Sequence, residues 1–206
     1  MTASVSPLHT DHPEIADMER VFDAQKIAFR LRPSTTATER LALLDNLKTV
    51  LIKYQDQIAQ AIAEDFGHRS HHETKFAEIL TSIENIKYYS KNLRNWMQPD
   101  KRHINPTHLP AKGWVQYQPL GVVGIITPWN YPLLLAISPL ICALAAGNRA
   151  MIKMSSFTPK TGAIVKKALS EAFNEDQVAV ITGGGIVSDA FSRLPFNQIT
   201  FTGSTN

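Results

Sequence analysis

The sequence predicts an α/β protein in which N-terminal helices precede a partial, doubly wound parallel sheet. Three observations carry that expectation. Apolar residues recur at helical spacing through residues 13–97. Beyond residue 120, short β-branched runs alternate with helical runs, the pattern of βαβ units. From Gly113 to Asn148 there is no Asp, Glu, Lys, Arg or His, as suits the buried centre of such a sheet. A membrane span is not expected there. Pro119, Pro128, Pro132 and Pro139 interrupt the run, and its longest apolar piece, LLLAISPLICALAAG, falls short of the ~20 residues a span needs even with Pro139 counted in.

Residues 1–12 read as a loose tail. MTASVSPLHT has neither a basic start nor an apolar run, so no signal peptide is expected and the reading is cytoplasmic. Pro13 can open a helix, with Glu14 and Asp17 suited to its positive end. Ile15, Met18, Val21, Phe22, Ala24, Ile27 and Leu31 then share helical spacing up to Arg32, just before Pro33. A second helix starts near Thr35 or Thr36, with Glu39 placed for a capping box. Its stripe is Leu41, Leu44, Leu47, Leu51, Tyr54, Ile58 and Ile62, ending near Gly67. A third helix covers Ser70 to Met97, with Phe76, Ile79, Leu80, Ile83, Ile86, Leu93 and Trp96 as its buried face. Lys87, Lys91 and Arg94 fit a solvated face better than a phosphate patch. HRSHHE at 68–73 lacks diagnostic ligand spacing, so no metal is assigned.

Pro99 to Pro110 reads as a polar linker, and Trp114 to Gln118 as a half-exposed strand. This divides the chain into a helical segment at 1–98, a linker and edge strand at 99–119, and a sheet domain at 120–206. The sheet domain opens on GVVGIITPWN, residues 121–130. Val122, Val123, Ile125 and Ile126 suit a strand covered on both faces, which stops in a tip held by Pro128 and Pro132. A ligand in an open α/β sheet sits at such a strand end, although the block also fits a plain hydrophobic turn. A short apolar helix follows at Pro132–Ala146, stopped by Gly147-Asn148. Next come a strand at Arg149–Met154 and a helix at Pro159–Phe173 with Thr158 as N-cap. A strand at Gln177–Thr182 runs into three glycines. A helix at Val187–Leu194 and a strand at Gln198–Thr202 complete the series, and FTGSTN stops where another helix would begin. A parallel sheet ending there leaves an edge uncovered, so the chain reads as part of a longer protein.

The bulk numbers exclude little else. A net charge of +3 gives weak support to nucleic-acid binding, and no such partner is expected. Cys142 is the only cysteine, so neither an intrachain disulfide nor a cysteine-rich zinc site is possible. Its apolar neighbours suggest a buried structural role.

The block QPLGVVGIITPWNYPLLLAISPLICALAAGNRAMIK resembles the first half of the coenzyme domain of the aldehyde dehydrogenase superfamily. EIADMERVFDAQKIAF and EDFGHRSHHET are similar to its bacterial coniferyl aldehyde dehydrogenase branch, and FTGST also fits. The resemblance covers nearly all of this chain but less than half of a full family member. It implies oxidation of an aldehyde to an acid with NAD or NADP, in a homo-oligomer. By motif, Asn130 would hold the oxyanion through its side-chain amide, which can meet developing charge without changing protonation state. A turn cap is the bland alternative. Trp129 would line the junction of substrate and coenzyme, with Thr127 and Pro128 beside the nicotinamide ribose. Lys153 would bind ribose hydroxyls of the adenosine half, where the residues alone suggest a surface lysine at a strand end. Gly183 and Gly184 would admit the adenine side, and Gly203 and Ser204 the pyrophosphate.

Two departures from the family pattern matter. Where the family reads Ser-Glu after the lysine, this chain has Ser155-Ser156. A neutral, shorter Ser156 implies weaker NAD binding and tolerance of a 2′-phosphate. The family's catalytic cysteine and general-base glutamate would fall beyond Asn206, so this chain alone is expected to be inactive. A non-catalytic binding or assembly module is the alternative.

Overall fold

The computed structural model describes residues 12–204, so the tail reading falls almost wholly outside them, as do Thr205 and Asn206. Four strands form one parallel sheet: β3 (Val122–Ile126), β4 (Arg149–Lys153), β5 (Val178–Ile181) and β6 (Gln198–Phe201). Their spatial order is β5-β4-β3-β6. The chain steps outward from β3 to β4 to β5, then returns to the other side of β3. That reversal places a topological switch between β3 and β6.

Alternate side chains of each strand enter different cores, as the period of two requires. Val123, Ile125, Ala150, Ile152, Val178 and Val180 face α2 (Ala37–Phe66), α4 (Thr81–Trp96), α5 (Leu134–Ala146) and α6 (Pro159–Ala172). Val122, Met151, Ala179 and Ile181 face α1 (Pro13–Leu31) and α7 (Gly185–Arg193). On the second face a side chain at Gly124 would collide with the Phe196 ring at 2.6 Å. The glycine lets Phe196 pack between Phe22 and Phe191, at ring-centroid distances of 5.1 and 4.9 Å.

The expected helix ends are largely present. Thr36 and Glu39 form the capping box of α2, and Gly67 ends that helix in the left-handed region at φ 77°. Gly147 does the same for α5 at φ 85°; its N–H and that of Asn148 bond back to Leu144 and Ala143, closing a Schellman motif. Asn148 Oδ1 then accepts from the N–H groups of Leu120 and Gly121, tying this stop to the start of β3.

Four expectations need correction. The third helix is not uniform: α3 (His71–Thr74) runs through a π-helical segment, Lys75–Leu80, into α4. A π turn inserts a residue and shifts the facing of its neighbours. Phe76 and Leu80 are therefore exposed, while Glu78 and Ser82 point inward with no exposure at all. Trp96, in the last turn, is exposed and packs edge-on against Tyr89 and tilted against Tyr88. Secondly, Ile27 and Leu31 are exposed, because the buried face of α1 ends at Gln25, before its C-terminal stretch. Thirdly, the linker holds a strand, β1 (Asp100–Arg102), paired antiparallel with β2 (Gly113–Val115). Strand β2 is shorter than the expected Trp114–Gln118; a charged three-residue strand has no apolar alternation to reveal it.

The fourth correction concerns α6. Thr158 makes no side-chain cap, and its hydroxyl is buried without a partner. The cap comes from α2: Asp65 accepts from the N–H groups of Lys160 at 3.1 Å and Thr161 at 2.8 Å, and from the Thr161 hydroxyl at 2.7 Å. Asp65→Ala is expected to cost about 1–2 kcal/mol, as loss of a helix cap does. Thr158→Val, which removes an unsatisfied hydroxyl while keeping the shape, should be neutral or stabilising. Urea unfolding of both variants checks the assignment; equal losses would return the cap to Thr158.

Candidate functional site

Parallel pairing brings four strand ends to one level. Ile126 is in register with Lys153 and with Phe201, and Lys153 with Ile181. The residues that follow these strands therefore share one edge of the sheet: Thr127 to Asn130 after β3, Ser155 and Ser156 after β4, Gly183 and Gly184 after β5, Gly203 and Ser204 after β6. In an open α/β sheet this is the edge where ligands sit.

Backbone and side-chain bonds lock the ends together. The Thr127 N–H and hydroxyl both donate to the Lys153 carbonyl, at 3.1 and 3.2 Å, so Thr127 is buried and joins β3 to β4. Lys153 is only 2% exposed. Its ammonium donates to the carbonyls of Met154 at 2.7 Å and Gly183 at 2.8 Å, joining β4 to β5. Burial pushes its pKa below the usual lysine range. Two carbonyls leave one of its three N–H donors over. The Thr202 N–H donates to the Ile126 carbonyl and brings β6 to the same level.

The tips themselves differ. Pro128 is half-buried, whereas Trp129 and Asn130 are exposed. The Trp129 ring lies 6.0 Å from that of Phe66. Ser155 Oγ accepts from the Phe157 N–H, shaping a turn that leaves Ser156 exposed. Gly183 has φ 134°, and a side chain there would meet Val187 at 2.8 Å. Its glycine is required by α7 itself. Gly184, the N-cap of α7, has open space where a side chain would stand. Gly203 and Ser204 are exposed at the end of β6.

Sequence reasoning missed two residues here. Arg69 donates to the Asn130 carbonyl at 2.8 Å, and its guanidinium lies over Phe66 at 3.9 Å and Tyr131 at 4.9 Å. Glu78 Oε2 accepts from the N–H groups of Leu133 at 2.8 Å and Leu134 at 3.0 Å, at the start of α5. Burial pushes the Glu78 carboxyl above its usual range, against those two bonds and the Arg69 charge. The one available signal was a carboxylate set between Ala77 and Ile79 in an apolar stripe. Cys142 also departs from its reading: it is exposed, with its sulfur 3.0 Å from the Tyr89 hydroxyl. Helix α5 is apolar nearly all round but is covered only in part. The bond to Cys142, with burial adding to it, pushes Tyr89 up to about 12.

The sequence profile of the aldehyde dehydrogenase family matches residues 9–206. The chain belongs to the aldehyde dehydrogenase family. It is 47% identical, over all of its length, to a Pseudomonas aeruginosa protein named "probable coniferyl aldehyde dehydrogenase", of which it covers 43%. Among solved structures, the substrate-bound Staphylococcus aureus AldH matches with a TM-score of 0.87 and 32% identity, over 91% of this chain and 41% of that one. An NAD-dependent benzaldehyde dehydrogenase of Corynebacterium glutamicum matches with a TM-score of 0.78 and 28% identity, over 93% and 42%. The chain thus spans less than half the length of these relatives. Among the described residues no helix is long and apolar enough to cross a membrane.

The buried ammonium gives this family member a measurable pH dependence. Since burial lowers the Lys153 pKa, the folded state gives up that proton before the unfolded chain does. Over that interval the unfolded state binds more protons, and stability rises with pH. Wild-type stability measured against Lys153→Met should climb as pH approaches the ordinary lysine value of about 10.4. A difference that stays flat would mean that the ammonium is solvated.

Proposed function

We propose that this chain supplies the first half of the coenzyme cradle, and the oxyanion donor, of an NAD(P)-dependent aldehyde dehydrogenase. The observation that carries the reading is the common level of the strand ends, which gathers Asn130, Lys153, Gly184 and Gly203 on one sheet edge of a chain in this family. The similarity to a protein named for coniferyl aldehyde favours an aromatic aldehyde, oxidised to the carboxylic acid. In this reading residues 1–98 are a helical segment packed on the coenzyme domain, 99–119 a linker with an edge strand, and 120–206 part of that domain. The whole protein is a cytoplasmic homo-oligomer.

The residues present fit a dinucleotide. Lys153 has one N–H to offer a ribose hydroxyl, and a buried ammonium gains from such a partner. Gly184 leaves room beside the start of α7 for the adenine side, with Gly183 shaping the turn. Gly203 and Ser204 would face the pyrophosphate. Thr127, Pro128 and Trp129 would shape the nicotinamide end. The nicotinamide ring, when bound, supplies the two-electron acceptor. Asn130 would donate its amide N–H to the oxygen of the aldehyde as charge develops there. Attack on the carbonyl needs a thiolate, and hydrolysis of the resulting thioester needs a base. Cys142 matches no catalytic motif, so the 206-residue chain is proposed to bind coenzyme without turnover.

Ser155 and Ser156 bear on which coenzyme is preferred. Ser156 cannot bind ribose hydroxyls as a carboxylate does, nor repel a 2′-phosphate. Calorimetric titration of the chain should give comparable affinities for NAD and NADP. Ser156→Glu should shift preference toward NAD by about tenfold, the worth of one added charged hydrogen bond. A strong NAD preference in the wild type would remove the Ser156 argument. A folded chain that binds neither coenzyme would remove the cradle reading.

A further inference from the structure

The segment Trp129–Leu134 is contacted along its length by residues 66–78. The Trp129 ring leans on Phe66, the Asn130 carbonyl accepts from Arg69, the Tyr131 ring lies under the Arg69 guanidinium, and Leu133 and Leu134 donate to Glu78. Arg69 and Glu78 touch each other, 3.5 Å apart. We propose that Arg69 and Glu78 are positioning residues that fix the backbone at Asn130 and so the direction of the Cα–Cβ bond that carries its carboxamide. This rests on the reading of Asn130 as the oxyanion donor.

The chemistry argues for more than a helix cap. The start of α5 could be satisfied by a local Ser, Thr or Asp, as other helices are. Instead Leu133 stands at the N-cap, and the acceptor arrives from 55 positions earlier in the chain. Glu78 is fully buried, and burying a carboxylate carries a desolvation cost that a local hydroxyl cap avoids. What the distant carboxylate adds is a fixed distance between the π-helical segment and the Asn130 tip. Arg69 extends the same constraint to the backbone carbonyl of Asn130 itself. With that carbonyl and the next helix start both pinned, the backbone dihedrals around Asn130 have little freedom. Its Cα–Cβ bond then leaves the sheet edge in one direction, which narrows the positions the carboxamide can reach, as a preorganised donor requires.

The test needs no turnover. In the 206-residue chain, the Asn130 side-chain amide gives a pair of NMR signals, assigned by their loss in Asn130→Asp. Glu78→Gln and Arg69→Gln should each shift and broaden that pair. Glu78→Gln should also raise hydrogen exchange at Leu133 and Leu134 by about tenfold, since it weakens a charge-assisted acceptor. Amides at Met154 and Gly183 should be unchanged. Arg69→Lys, which keeps a donor for the Asn130 carbonyl, should restore much of the wild-type signal. Unmoved Asn130 signals in both Gln variants would overturn the proposal. So would changes spread evenly over the sheet in both, which mark a general loss of stability. The Arg69 side chain keeps 12% of its surface exposed where Glu78 keeps none, so its variants decide the matter if Glu78→Gln does not fold. The role of Asn130 fails separately: in a protein carrying the family's remaining length, Asn130→Ala would leave aldehyde oxidation at its wild-type rate while the spectra above still responded.

Discussion

The structure depends on parallel pairing with both faces of the sheet covered. Because β3, β4, β5 and β6 run the same way in register, their ends fall at one level. Burial on both faces fixes that register, since a slip by one residue would move every side chain to the opposite core. Val122 and Val123 belong to different cores, as do Met151 and Ile152. The β-branched run of β3 is thus a positional constraint on the tip that follows it.

One stretch of chain, residues 64–78, fastens that tip and its neighbour. At its start, Asp65 holds the first N–H groups of α6, and Glu64 pairs with Lys160. In its middle, Phe66 and Arg69 meet Trp129, Asn130 and Tyr131. At its end, Glu78 holds the start of α5. Helices α5 and α6 begin just after β3 and β4, so fastening their starts also fixes the loops that leave those strands. The N-terminal helices are therefore more than a cover for the sheet, because the end of α2 and the π-helical segment set the shape of the candidate site.

Features whose cause is local were legible in the sequence. The Thr36–Glu39 capping box, the Gly67 and Gly147 stops and the strand–helix alternation all depend on a few adjacent residues. Features whose cause lies far along the chain were not. Thr158 had the chemistry of a cap, but Asp65 occupies the position from α2. Phe76 and Leu80 fitted a regular stripe, but the π turn rotated them outward and Glu78 inward. Cys142 sat among apolar neighbours, yet helix packing left its side uncovered. The candidate site was legible to the extent that it lies at strand ends; Arg69 and Glu78 were missed because their partners are 55 to 61 positions away.

The same caps limit where an anionic ligand can bind. A helix start attracts anions through free N–H groups and the positive end of its dipole. Three helices begin at this edge of the sheet: α5, α6 and α7. Glu78 already supplies a negative charge at the first, and Asp65 at the second. A phosphate brought to either would meet a carboxylate and find fewer N–H groups free. Helix α7 starts at Gly184 with no side-chain cap and with open space at that residue, although a Glu14 carboxylate oxygen lies 3.3 Å from where a Gly183 side chain would stand. The exposed backbone at Gly203 and Ser204 closes the other side of the switch point, next to β3. If the proposed coenzyme reading holds, its phosphates would be disfavoured at the starts of α5 and α6, and the ligand would span the strand ends between β5 and β6 on the two edges of the sheet. Lys153 joins the ends of β4 and β5 along that path, and Asn130 stands at the end of β3. Under the proposed cradle, carboxylates at the starts of α5 and α6, with Glu14 beside the turn before α7, would leave the exposed backbone after β6 as the part of this edge least opposed to an anion.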